Sequence, residues 1–150
     1  MRLSTGDGAI DVRDLDGEVE LSTGDGSIDA AGMQAALRAK TSDGRVTVDG
    51  RFNRLDLRSG DGAVSATVRE GSRMDRDWIL SSQDGGITLR LPELFPAELD
   101  LSTGDGRVTL DFPVKVSGSL SRSRIRGTIQ QGGPRLELRT ADGSIHVLKL

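Results

Sequence analysis

Apolar and polar residues alternate along most of this chain in short runs, and each run breaks at an Asp-Gly pair. Aligned on that aspartate (Asp7, Asp25, Asp43, Asp61, Asp84, Asp105 and Asp142), the runs fall into columns. Four residues before it stand Leu3, Leu21, Ala39, Leu57, Leu80, Leu101 and Leu138. Three after it stand Ile10, Ile28, Val46, Val64, Ile87, Val108 and Ile145. Two before it comes a hydroxyl, from Thr5, Thr23, Thr41, Ser59, Ser82, Thr103 or Thr140. A period of two on both sides of a turn predicts two half-buried strands joined by a tight bend.

The aspartates recur at steps of 18, 18, 18, 23, 21 and 37 residues. A period near 20 marks one supersecondary unit stacked on itself. Two architectures satisfy it. In an antiparallel meander or barrel the Asp-Gly pairs are hairpin tips, and Leu21 faces Ile28. In a solenoid, Leu21 rests instead on Leu3 and Ala39, and outward residues repeat as well, as Ser4, Ser22 and Ser102 do. The solenoid explains more of the pattern. The expectation is therefore an all-β, single-stranded right-handed β-helix (β-solenoid) of about seven to eight rungs with an 18- to 23-residue period, filling 1–150 as one domain; its handedness follows from the crossover rule for parallel strands.

Finer expectations follow. Gly8, Gly26, Gly44, Gly62, Gly85, Gly106 and Gly143 fill the turn column and are expected in left-handed or otherwise glycine-only conformations. Ala31 to Ala39 has helical composition but sits inside an unbroken 18-residue step, so it is expected to stay extended. The longer steps predict side loops near Arg73 to Asp77 and Pro92 to Pro96. From Phe112 to Gly133 the Asp-Gly turn disappears, and Val114, Val116, Leu120, Ile125 and Ile129 predict longer strands with a bend at Gly132-Gly133-Pro134.

Composition sharpens the picture. Hydrophobic residues make up 35% and aromatic ones 3%, so the core must be narrow. A net charge of −3, from 20 basic and 23 acidic residues interspersed, argues against nucleic acid as a partner. With no cysteine, disulfides, thiolate metal sites and thiol nucleophiles are excluded. No apolar run is long enough to insert in a membrane, and the start lacks a secretion-signal pattern. Because Met1 leads straight into a repeat, the chain is read as a fragment of a longer one.

Candidate chemistry is sparse. The aspartate column Asp7, Asp25, Asp43 and Asp61 resembles a cation ladder, but its spacing is looser than that of calcium-binding nonapeptide repeats, and each aspartate has a role in its own turn. The hydroxyl column reads as hydrogen bonding, since no base accompanies it. The one histidine, His146, lies between Ile145 and Val147 and points outward by parity. Arg45, Arg107, Asp11, Asp29 and Thr47 give a mixed outer surface without a distinguished acidic pair. Arg122, Arg124 and Arg126 alternate as a solvated strand would, with an acidic partner as the rival reading. No catalytic, cofactor-binding or metal residue is assigned, no cofactor is expected, and the chain is read as not an enzyme.

The repeated Leu-Ser-Thr-Gly-Asp-Gly-x-Ile pattern resembles the bacterial putative-adhesin β-strand-repeat family, a domain of unknown function. Arg126 to Ile145 is similar to that family's C-terminal segment. The resemblance implies a β-helix in exported or membrane-anchored proteins, hence a cell-envelope or extracellular location. The function expected is a scaffold or adhesin-like domain, meeting a protein or cell-surface glycan, and self-associating through the apolar first rung, Leu3 to Val12. The alternative is a carbohydrate-active or carbohydrate-binding module.

Overall fold

The computed structural model describes residues 2–74, 76–92, 95–111, 115–116 and 123–149. Strands flank each Asp-Gly turn: β1 (Arg2–Thr5) and β2 (Ile10–Arg13) the first, then β3 (Asp16–Thr23), β4 (Ile28–Thr41), β5 (Val46–Ser59) and β6 (Val64–Val68) around the next three. They are followed by β7 (Trp78–Ser82), β8 (Ile87–Leu91), β9 (Ala97–Thr103), β10 (Val108–Leu110), β11 (Lys115–Val116), β12 (Arg124–Ile129), β13 (Arg135–Thr140) and β14 (Ile145–Lys149). No helix occurs among the described residues, and Ala31 to Ala39 lies extended within β4.

Like lies beside like across the parallel pairs. On the side before the turns the register runs Leu3, Leu21, Ala39, Leu57, Leu80, Leu138, Leu101. On the side after them it runs Ile10, Ile28, Val46, Val64, Ile87, Ile145, Val108. Apart from exposed Leu3 and half-buried Val108, these columns are buried between the two sides, and most of their side chains are fully enclosed. Each enclosed Leu, Ile or Val contributes about 1.5–3 kcal/mol relative to exposure, so a thin core suffices when it is repeated.

The expected right-handed β-helix is overturned. Its coils would follow chain order with all strands parallel. Here the unit around Asp142 sits between those around Asp84 and Asp105, because β13 pairs with both β7 and β9, and β14 with both β8 and β10. β12 then lies antiparallel on β9, and β11 antiparallel on β12. The described strands form one 14-stranded sheet of mixed orientation. Its main path ends with β10 on one side and β9, β12 and β11 on the other, and β9 and β10 flank the same turn, so the sheet nearly closes into a barrel. The physical reason lies in the repeat itself. Identical Leu, Thr and Gly columns let any unit dock on any other, while the 37-residue step before Asp142 gives the chain length to travel out and return.

Two further details differ from expectation. The insertions before β7 and β9 fold inward: Met74 and Phe95 are buried, and Phe95 packs on Trp78 with ring centroids 5.5 Å apart. Trp78 takes the place that leucines fill in other units, and its indole N–H donates to the Asn53 carbonyl at 3.2 Å. Asn53 is the extra residue of a bulge between β4 and β5. Val114, Leu120 and Arg122 lie outside the described residues, as does the side chain of Val116.

Candidate functional site

The most site-like residues are those of the turns. In each unit from the second onward, the Thr or Ser hydroxyl is buried and points at the neighbouring unit. Thr23 donates to the Gly8 carbonyl at 2.8 Å and accepts from the Gly26 N–H at 3.3 Å. Thr41 does the same between Gly26 and Gly44, at 2.9 and 3.3 Å. Ser59, Ser82, Thr140 and Thr103 repeat the arrangement, ending with Thr103 on the Gly143 carbonyl at 2.7 Å. One relay of alternating hydroxyls and peptides thus runs through the stack. A hydroxyl committed in this way is a structural element and has no base beside it to make it a nucleophile.

The glycines of the same turns are not left-handed. Positive φ occurs instead at Gly17, Gly32, Gly50, Gly71 and Gly132, and at Asp14 and Gln130 among other residues. What demands glycine in the turn column is close approach. A Cβ on Gly26 would stand 2.1 Å from the Gly8 oxygen, and one on Gly62 would stand 2.1 Å from that of Gly44. Gly85, Gly106 and Gly143 are confined in the same way, whereas Gly8 meets only its own Thr5, at 3.2 Å.

The turn aspartates form an exposed row. The Asp43 carboxyl is raised above its ordinary value, first by a hydrogen bond with Asp25 open to the protonated form, then by desolvation, by Asp61 in the same way, and by repulsion from both. Asp84 is raised likewise between Asp61 and Asp142. Among the described residues no group of three or more His, Asp or Glu side chains is arranged to hold a metal ion. Carboxyls crowded side by side, sharing protons before they repel, are what these shifts express.

The other predicted positions are dispersed. Asp11, Asp29 and Thr47 share one outward row on the second side of the barrel, which continues through Ser65 and Thr88 to exposed His146 and Thr109. Arg45 and Arg107 are exposed beside their turns. Arg124 and Arg126 point outward from β12 with Ile125 buried between them, and Arg126 lies 3.7 Å from Asp100. β12 pairs with β9 along its whole length, whereas β11 meets it at Gly127 and Thr128. Near the second bend, Arg69 grips Asp49 through two hydrogen bonds of 2.8 Å and holds its carboxyl below the ordinary value.

Sequence reasoning missed a trough of about 880 Å³ beside the turns of the first side. Lys40, Arg58 and Arg139 stand along one wall with Ser81 and Ser102, Asp43 and Asp61 along the other, and Ser42, Gly60 and Gly104 are among the small residues between. Its signal was present in the residues three before each turn aspartate, but their neighbours depend on the order of units.

The profile of the Toastrack DUF4097 family matches residues 1–148. No curated protein matches the chain. Among solved structures, a putative cell adhesion protein from Clostridium sporogenes superposes with a TM-score of 0.59 at 11% identity, over 99% of this chain and 92% of that one. At that identity the likeness is one of fold.

Proposed function

The chain belongs to the Toastrack DUF4097 family, and we propose that it serves as a non-enzymatic, adhesion-like scaffold at the cell surface. The observation that carries this reading is the relay of turn hydroxyls. The residues best placed by repetition to do chemistry are the ones that hold the units together. What remains for function is the outer surface, where charged and hydroxyl side chains recur in rows at the strand spacing of about 4.8 Å. Such a surface suits repeated weak contacts with a polymer or a neighbouring cell. The named role of the similar Clostridium sporogenes protein, putative cell adhesion, supports the same direction.

Beads coated with the chain should retain bacterial cells or envelope fragments better than beads coated with an unrelated β-sheet protein. Equal retention, together with turnover in a screen of glycoside and ester substrates, would overturn the reading. Self-association belongs to it as well. Leu3 is the exposed large hydrophobic residue among the described ones, at 37%, and it lies on β1, which pairs with β3 alone. Sedimentation at high concentration should show a dimer that Leu3→Lys dissociates; a monomer at all concentrations would remove this part.

A further inference from the structure

The wall of the trough is part of a longer line. Read from strand to strand by register, the outward residues beyond Ser22 are Lys40, Arg58, Ser81, Arg139, Ser102 and Arg124. The line contains no acidic residue. From Arg58 onward, cation and serine alternate, which sets the cations about 10 Å apart at ~4.8 Å per strand. This alternation exists only because the Asp142 unit is out of chain order. In chain order Ser81 and Ser102 would be neighbours, and Arg139 would stand beyond them.

Arg58 and Arg139 remain available for binding. Arg58 donates to Asp56 at 3.0 Å and Arg139 leans on Glu137, yet their side chains remain 54% and 63% exposed. A guanidinium carries five donors, so one such contact leaves most of them free. The serines between are half-buried and form the low points of the surface.

The two walls together define the occupant. One presents spaced positive charge; the other presents the carboxylates of Asp43 and Asp61, which accept hydrogen bonds. A nucleic acid brings phosphates every 3.4 Å or so along a strand and few donors, so the aspartate wall would repel it. The described aromatic residues, Trp78, Phe52 and Phe95, are all buried and offer no stacking platform for bases. A flat lipid surface does not enter a trough. A polymer with intermittent carboxylates and many hydroxyls meets both walls.

We propose that this trough binds an extended acidic polysaccharide lying across the strands. Uronate carboxylates sit on Lys40, Arg58 and Arg139, and sugar hydroxyls donate to Asp43 and Asp61. The inference deepens the adhesion reading and rests on it by naming the ligand class.

The test is calorimetric titration at low salt with four probes: polygalacturonate, neutral dextran, an oligothymidylate and vesicles of anionic phospholipid. Polygalacturonate should bind and dextran should not. Arg58→Ser with Arg139→Ser should weaken binding about tenfold or more, as the loss of two charge-assisted contacts predicts. Arg45→Ser with Arg107→Ser should leave it unchanged, and melting curves confirm that each variant is folded. Asp43→Asn with Asp61→Asn is decisive. It weakens binding if the aspartates accept sugar hydroxyls, and tightens it if the polymer is held by net charge alone. Tightening, absence of polygalacturonate binding, or equal binding of oligothymidylate or vesicles overturns the proposal. Cells retained on coated beads without polygalacturonate binding would sink the trough and spare the adhesion reading. The reverse pattern would sink adhesion alone.

Discussion

The Cβ that Gly44 lacks would stand 2.0 Å from the carbonyl oxygen of Gly26. Both atoms belong to backbone clamped by the Thr41 hydroxyl, so neither can retreat. Gly44→Ala should therefore destabilise the fold by about 3 kcal/mol or more, at the upper end of overpacking. Gly8→Ala, which meets only the Thr5 side chain, should change stability by less than about 1 kcal/mol. Urea unfolding of the two variants checks this, and equal losses would show that close approach is not what demands glycine here.

Thr41 can be probed without touching backbone. Thr41→Val keeps the shape but leaves the Gly26 carbonyl and the Gly44 N–H without their shared hydroxyl. The expected loss is about 1–2 kcal/mol, from two half-buried groups left without this partner. Thr41→Ser should be nearly neutral, because Ser59 and Ser82 already do the same work one and two units along.

The aspartate row sets one pH dependence. A carboxyl raised in the folded state penalises folding above that raised value, and the penalty is relieved as pH falls through it, vanishing below the ordinary 3.8. Asp43→Asn should then raise the melting temperature at neutral pH and low salt. The gain should shrink in high salt and in acid. A gain that persists in either condition would show that charge is not its cause.

Asp49 should behave with the opposite sign. Its carboxyl is lowered by Arg69, so its contribution is present above 3.8 and is lost as pH falls through the lower folded value. The pair is substantially exposed, so the effect is under about 1 kcal/mol. Arg69→Met should flatten this part of an acid-unfolding profile, measured by circular dichroism, and leave the Asp43 effect in place.

Much of the local structure was legible because it depends on parity. Alternation turned His146 outward, and the constant 18-residue step placed Leu21 in register between Leu3 and Ala39 and kept Ala31 to Ala39 extended. What depended on neighbours was not legible. The columns of Leu80, Leu101 and Leu138 are chemically equal, so nothing in them says that Leu138 lies between the other two. The antiparallel docking of β12 was hidden for the same reason, since strand direction leaves no trace in alternation. The turn glycines were read through φ because a sequence displays residue type, whereas the true cause is a carbonyl supplied by another unit. The trough was missed twice over. The line of Arg58 and Arg139 exists only once the order of units puts Arg139 between Ser81 and Ser102.

The displaced unit also bears on how the chain is made. During synthesis, residues 97–110 leave the ribosome before residues 135–149, while the place beside β7 and β8 belongs to the later pair. The earlier segment carries the same leucine and threonine columns and is a competent claimant for that vacant place. Vectorial emergence therefore works against the native neighbours, and the final strands must arrive as a wedge between partners that were free to meet first.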